Sequence, residues 1–358
     1  MEIQHLVSVH LKNKSYISVI ISLVFIGAYY YFYGKAYDYI SLILQNAGVV
    51  GETIKNKVFP VYHMGLAATG NIKSIVYITL IVAALLVLMY FILLHSFSKI
   101  MTTKKGEKKV VYKAGKMTAR NASSALFRKE LKRFTSSATY MLNCGLGTVF
   151  ILLGAVAILW QQDVIIRILK IPGVDKDMVT LFVAAALAFL GCVNDITVPS
   201  ISLEGKNIWI LQSLPVSPWQ VLKAKLKVHL VLTIVPMLIC TACVEYVLVR
   251  DTFSMIMIPV LVVLVVCINA LSGLIIGLLL PNLNWSNETA AVKQSISVMI
   301  ALFGNWIFVI SVCFIYYLVY NMIEPKTYML LCAVVFFVLI CIMVLWLKKK
   351  GSQRFARL

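Results

Sequence analysis

The sequence predicts an all-α membrane protein, a bundle of about eight transmembrane helices. Of the 358 residues, 61% are hydrophobic, and they concentrate in eight runs that contain none of the 33 Lys and Arg residues. Each run is close to the about 20 apolar residues that a helix needs to cross a bilayer, and backbone in lipid must satisfy its own hydrogen bonds. The runs are 15–33, 74–97, 138–160, 179–199, 228–249, 255–280, 297–320 and 328–347.

The positive charge alternates between the two sides of these runs. The net charge is +19; one set of alternating connections holds 24 Lys and Arg residues and the other set holds 9. Positive residues accumulate on the cytoplasmic side of a membrane, so both termini are predicted to be cytoplasmic. This distribution is typical of anchors beside lipid head groups, and it argues against a nucleic-acid-binding protein.

The runs group into two parts. Residues 1–97 hold two of them, joined by a long loop, and residues 98–120 form a basic stretch that is predicted to be a cytoplasmic linker. Residues 121–358 hold the other six runs with short outer loops. The second part therefore has the organisation of a complete membrane unit.

An amphipathic helix is predicted where the six-run unit begins, at residues 121–134. Phe127, Leu131 and Phe134 recur at helical spacing, and basic residues occupy the rest of the segment. Because an apolar run begins a few residues later, the helix is expected to lie in the membrane interface.

The connection 200–227 is too polar at its start to span a membrane. It carries an apolar stripe around Trp209 and Leu211, and Pro215 and Pro218 interrupt it. The pattern fits a short surface helix that docks a partner, and it fits a simple amphipathic connector equally well.

Three stretches of the six-run unit carry a family resemblance. They read YMLNCGLGTVFILLGAVAIL, SLEGKNIWILQSLPVSPWQVLKAKL and LPNLNWSNETAAVKQSISV. They resemble the type-2 class of bacterial ABC exporter permeases, and the middle stretch is the most specific of the three.

The resemblance implies a membrane subunit that works with a separate ABC ATP-binding subunit, which would bind ATP and Mg²⁺. It implies an interfacial elbow helix at 121–134, six transmembrane helices, and a coupling segment at 202–218 that contacts the ATPase. The implied contact residues are Glu204, Gly205, Lys206, Trp209, Leu211, Leu214 and Pro215. Since residues 1–97 hold only two runs, the chain is expected to lack the N-terminal part of a first half, and to pair with that half or with a second copy.

No catalytic or metal-binding pattern is present in the sequence. The phosphate loop GxxxxGK[ST] is missing; the stretch Gly65-Leu-Ala-Ala-Thr-Gly70 begins like one and lacks the lysine. Cys240 and Cys243 form a CxxC pair inside an apolar run, which favours packing over redox or metal chemistry. The chain is therefore expected to be no enzyme, and to hold no metal or cofactor of its own.

Several polar residues in or near the runs are candidate functional residues. Asn194, Asp195 and Glu245 lie inside apolar runs, where a carboxylate is by default a candidate proton or substrate site. Both carboxylates lie near run ends, so a structural role is the simpler interpretation. The inner loop adds Asn284, Trp285 and Glu288, which could contact an ATPase or form a polar turn.

These observations predict a multi-pass permease of the bacterial cytoplasmic membrane. It would export an unidentified substrate by alternating access, driven by the ATPase subunit. The alternatives are a proton-coupled secondary transporter that uses Asp195 or Glu245, and a membrane scaffold or regulatory subunit without transport.

Overall fold

The computed structural model confirms the all-α class. It describes residues 14–45, 55, 59–102, 121–162, 176–248 and 251–358, and every regular element in these ranges is a helix. Most of the predicted linker at 98–120 lies outside the described residues. The chain divides into two compact units, Ser22–Thr118 and a larger unit of Met1–Ile21 with Ala119–Leu358.

Helices α1 (Lys14–Gln45), α2 (Phe59–Ala68) and α3 (Ile72–Thr102) occupy the N-terminal part of the chain. A turn with Gly70 at φ +90° separates α2 from α3, a backbone conformation that glycine adopts without strain. The two helices pack through aromatic rings, and His63 Nδ1 lies 2.9 Å from Ser74 Oγ.

The second stretch of the larger unit opens with a helix that the Asn121 side chain caps. A 3₁₀ helix lies at Ser202–Asn207 and a π-helical turn lies at Leu347–Gly351. The helices are α4 (Ala122–Ser136), α5 (Ala138–Cys144), α6 (Leu146–Trp160), α7 (Lys176–Gly191), α8 (Ile208–Ser213), α9 (Pro218–Leu248), α10 (Thr252–Leu279), α11 (Glu288–Val292), α12 (Ile296–Val319), α13 (Pro325–Trp346) and α14 (Ser352–Arg357).

The number of membrane-crossing helices differs from the eight predicted. Among the described residues, six helices are long and apolar enough to cross a membrane, and α5 with α6 makes a seventh if they count as one span bent by 52°. The predicted run at 179–199 is missing from both counts, because its helix α7 ends at Gly191, and the bend between α5 and α6 separates the count of six from the count of seven. Residues 192–201 continue as irregular backbone, and all of them are buried except the half-buried Val193.

Two glycines of α10 make room for this irregular segment. A Cβ at Gly273 would lie 2.7 Å from Thr197 Oγ1, and a Cβ at Gly277 would overlap the carbonyl oxygen of Val198. These glycines let α10 approach the segment 192–201 closely, and this allows non-helical backbone to be buried between the helices.

Helices α9 and α10 form the centre of the larger unit. Met237, Ile258, Val262 and Val266 are fully buried between α6, α7, α12 and α13. A second apolar cluster lies where α9 begins and where α10 and α13 end. We call this the coupling end, after the segment 202–218 that was expected to contact a partner. There Leu222 of α9 packs with residues of α8, α10 and α14.

Candidate functional site

Helix α4, at the position of the expected elbow helix, buries a face that includes a carboxylate. Its buried residues are Leu126, Glu130 and Phe134, one helical turn apart from each other. The predicted apolar face was Phe127, Leu131 and Phe134; of these, Phe134 is buried and the other two are half-buried. The buried face is therefore centred about one residue earlier than the hydrophobic pattern predicted.

Glu130 belongs to a cluster of charged side chains at the coupling end. We call it the charge cluster, and its members are Lys129, Glu130, Arg133, Glu204 and Lys225. The Lys225 side chain has no exposed surface. Its ammonium group donates to Glu204 Oε1 at 2.7 Å, to the Ser200 carbonyl at 2.9 Å and to Glu130 Oε2 at 3.0 Å. All three ammonium hydrogens thus have an acceptor, the condition under which a buried lysine is tolerated.

Glu204 is the centre of this cluster. Besides Lys225, its Oε1 is 3.0 Å from Lys129 Nζ and forms a 2.6 Å ion pair with Arg133 Nη1. Burial alone would raise the pKa of Glu204, but Lys225, Arg133 and Lys129 outweigh it and hold the pKa below its ordinary value. Burial would lower the pKa of Arg133, and the Glu204 carboxylate reverses this and raises it. Both groups therefore stay ionised near neutral pH.

The charge cluster joins three segments that are distant in the sequence. Glu130 comes from α4, Glu204 from the 3₁₀ helix that precedes α8, and Lys225 from the second turn of α9. A displacement of the 3₁₀ helix would therefore act on α4 and on the start of α9 together.

Trp285 also contacts the same 3₁₀ helix. Its indole Nε1 donates to the Ser202 carbonyl at 2.6 Å, and Ser202 Oγ accepts from the Asn282 backbone N–H at 3.0 Å. Gly205 has φ +55°, and a Cβ there would lie 3.3 Å from Trp285 Nε1, so a side chain would be strained by both backbone and ring. Of the other two inner-loop candidates, Asn284 is exposed and Glu288 is half-buried.

Helix α8 divides its apolar residues between the interior and the surface. Ile208 and Leu211 are buried in the coupling-end cluster. Trp209 is 61% exposed, Ile210 46% and Leu214 42%, and we call these three the exposed patch. Of the remaining candidates, Lys206 and Pro215 are exposed and Gly205 is buried. Glu204, expected as a contact to a partner, is only 5% exposed and faces the charge cluster.

Residues 149–350 match the family model described as "Putative ATP-binding cassette". The chain belongs to this family. The match covers more than half of the 358 residues and includes Glu204, Lys225 and the whole of α8. No curated protein and no solved structure matches the chain. Membership of this ABC-related family and a bundle of apolar helices fit a membrane transporter.

Within this ABC-related chain, a second polar network lies inside the helix bundle. Asn194 Nδ2 donates to Thr148 Oγ1 at 3.0 Å and to Thr233 Oγ1 at 3.2 Å. Asn269 Nδ2 donates to the Asn194 carbonyl at 2.9 Å, and Asn305 Nδ2 donates to Asn269 Oδ1 at 2.5 Å. We call Asn194, Asn269 and Asn305 with these two threonines the amide chain. It connects the irregular segment after α7 with α6, α9, α10 and α12.

The two carboxylates predicted inside apolar runs are not joined to each other by any hydrogen bond in the described ranges. Asp195 is 5% exposed and Glu245 is half-buried, and one oxygen of each is buried without a hydrogen-bond partner among the described residues.

Cys240 and Cys243 are free thiols. In the part of the chain that the structure describes, no three His, Cys, Asp or Glu residues are grouped to hold a metal ion.

Sequence patterns missed Glu130, Lys225, Asn269 and Asn305. An available signal for the two asparagines was their position inside strongly apolar runs, where amides need partners. Glu130 and Lys225 gave no comparable signal, because each is a single charge in a segment rich in basic residues.

Proposed function

We propose that this chain is the membrane-spanning permease subunit of an ABC transporter, and that α8 is where its ATPase partner binds. The observation that carries the proposal is the exposed patch on α8. Apolar side chains grouped at a surface outside the spanning helices are typical of a protein interface. Here they sit on a helix whose other face is buried and whose preceding turn is held by the charge cluster.

The proposed mechanism follows from these attachments. The ATPase would bind ATP and Mg²⁺, close, and push on α8 through Trp209 and Leu214. The 3₁₀ helix would move with α8, because it is continuous with it, and Glu204 would carry the movement to α4 and α9. Alternating access of the helix bundle to the two sides of the membrane would result.

The sequence contains no phosphate loop, which supports the proposal that a partner subunit hydrolyses ATP. The proposal includes export of an unidentified substrate, a bacterial cytoplasmic membrane and cytoplasmic termini, as the charge distribution favours. It also includes pairing of the six-helix unit with a second permease half.

The test places a photo-crosslinking amino acid at position 209 of the full chain in its native membranes. We expect a covalent adduct with a protein that carries a GxxxxGK[ST] phosphate loop, identified by mass spectrometry. The matched control carries the same amino acid at Met322, which is 86% exposed and lies between α12 and α13, away from α8.

A double variant, Trp209→Asp with Leu214→Asp, then asks whether the patch is needed for association. We expect loss of the co-purified ATPase at unchanged yield of folded chain, and no loss with Met322→Asp. Equal crosslinking at positions 209 and 322, or an ATPase retained by the folded double variant, would contradict the proposal.

A further inference from the structure

The last helix, α14, and the π-helical turn before it form a basic surface at the coupling end. The basic residues of this segment are Lys348, Lys349, Lys350, Arg354 and Arg357. None of them takes part in an ion pair with a carboxylate of the described residues, whereas the cations of the charge cluster all do. This surface therefore has positive charge available for an external anion.

Helix α14 is held firmly against two other elements. Phe355 is 1% exposed and packs in the coupling-end cluster, and its carbonyl accepts from Gln212 Nε2 of α8 at 2.8 Å. Arg354 donates from Nε to the Leu278 carbonyl at 3.0 Å and from Nη2 to the Leu279 carbonyl at 3.1 Å. These two bonds cap the end of α10 with a cation, where the helix dipole favours one.

A cavity of about 450 Å³ opens beside this helix. Three of its lining side chains are cationic, one is an indole, and none is acidic. They are Trp346, Lys350, Gln353, Arg354, Arg357 and Leu358. Trp346, Lys350 and Arg354 follow each other at intervals of four, so the cations lie on the same side of the helix as the tryptophan that ends α13.

We propose that this cavity binds a phosphate group, that of an anionic phospholipid at the membrane surface. A phosphate diester fits the donors present, since the Lys350 ammonium and the Arg357 guanidinium can supply charge-assisted hydrogen bonds to its oxygens. Arg354, whose Nε and Nη2 already bond the end of α10, adds positive charge. A lipid is the source we assign, because the cavity adjoins Trp346 at the end of an apolar helix. Indole rings favour the depth of lipid head groups, and basic pockets beside such helices bind those head groups.

A lipid in this cavity would act on α8 through α14. The Gln212–Phe355 hydrogen bond connects the two helices, and their side chains share one apolar cluster. The bound head group would thus stabilise the position of α8 through α14, in addition to the attachment that the charge cluster provides. The binding itself goes beyond the proposed function, because it requires no ATPase.

The experiment is native mass spectrometry of the full chain, purified in detergent and titrated with dioleoyl phosphatidylglycerol or dioleoyl phosphatidylcholine. The pocket variant is Lys350→Gln with Arg357→Gln; the matched control is Lys348→Gln with Lys349→Gln, which removes the same charge from neighbours that do not line the cavity. Arg354 is left intact because it caps α10. We expect wild type and control to bind phosphatidylglycerol in preference to phosphatidylcholine, and the pocket variant to bind it roughly tenfold more weakly.

Three results would overturn the proposal. One is equal weakening by the two double variants, which would indicate general attraction to a basic surface. Another is competition by inorganic phosphate at the concentration of the lipid, which would assign the cavity to a soluble anion. The third is unchanged lipid binding by the pocket variant, which would show that the lipid does not bind in the cavity. Loss of ATPase association in membranes by the same variant would then assign these residues to protein docking.

Discussion

The charge cluster and the amide chain both tie several segments of the larger unit together, and they do so with different chemistry. The charge cluster uses three cations and two carboxylates at the coupling end. The amide chain uses neutral asparagines and threonines between apolar helices. Lys225 in the charge cluster and Asn194 in the amide chain have almost no exposed surface.

The two networks are expected to differ in strength, because burial affects charged groups and amides differently. A buried charge is tolerated when oppositely charged partners and hydrogen bonds surround it, and its removal leaves the partner charge uncompensated. An amide within apolar helices contributes less, about 0.6 kcal/mol on average, because the unfolded chain in a membrane also finds partners. The charge cluster should therefore be the stronger attachment, and the amide chain the weaker one.

Replacement of Lys225 by methionine should give the largest loss of stability. The change keeps most of the apolar part of the side chain and removes the fully buried cation that contacts both buried carboxylates; Lys129, which also contacts both, is partly exposed. We expect the free energy of unfolding to fall by about 3–5 kcal/mol, the range for breaking a buried ion pair from one side. The measurement is titration of the folded protein in mixed micelles with sodium dodecyl sulfate.

Lys223 provides the matched control on the same helix. It is exposed, so Lys223→Met removes the same charge without touching the charge cluster. We expect little change from it, as for most surface substitutions. Similar losses from the two variants would show that the charge cluster contributes no more than surface charge does.

Acid should weaken the charge cluster through Glu204. Its pKa in the folded protein is below the ordinary value of 4.5, so the unfolded chain takes up the proton first as pH falls. The contribution of Glu204 is therefore fully present above about pH 5 and declines as pH falls below 4.5 toward the folded-state pKa. We expect the stability difference between wild type and Glu204→Gln to be constant from pH 7 to about 5, and to shrink below that.

The same micelle titration, repeated at each pH, measures that difference. Asp251 is a useful comparison because its pKa is also lowered, first by the backbone N–H of Ser254, yet it is an exposed cap of α10. Its replacement by asparagine, which can cap a helix equally well, should give a much smaller pH-dependent difference. The stability difference between wild type and variant could instead change more with pH for Asp251→Asn than for Glu204→Gln. That result would contradict the claim that acid weakens the fold through the charge cluster.

Sequence patterns predicted the class of the fold because hydrophobic run length is a direct consequence of bilayer thickness. They also predicted a helix at 121–134, and the structure has α4 there with the cap Asn121. They could not predict Glu130 as a buried residue. A glutamate is buried only when a partner such as Lys225 faces it, and the pairing of residues 95 positions apart is decided by tertiary packing.

The run at 179–199 shows a second limit of hydropathy. Its apolar composition continues beyond Gly191, so nothing in the average marks the end of α7. The helix ends where Asn194 finds hydrogen-bond partners on α6 and α9, and where Gly273 and Gly277 leave space for irregular backbone. These are properties of neighbouring helices, and a window along one segment does not contain them.

The amide chain should respond weakly to a deletion at its end. Asn305→Ala removes the donor to Asn269 Oδ1 and the acceptor of Ser272 Oγ at 2.8 Å. We expect a loss of about 0.6–1.7 kcal/mol in the free energy of unfolding, from the average to the largest value for hydrogen bonds between transmembrane helices. This is well below the loss expected for Lys225→Met.

The control is Ser311→Ala on the same helix α12. Ser311 is exposed, and its hydroxyl donates only to the Ile307 carbonyl of its own helix, at 2.7 Å. Its replacement should leave stability nearly unchanged, because no bond between helices is lost. If Asn305→Ala instead matched Lys225→Met in size, the amides would hold the bundle as strongly as the ion pairs hold the coupling end. The prediction that the charge cluster is a stronger attachment than the amide chain would then be wrong.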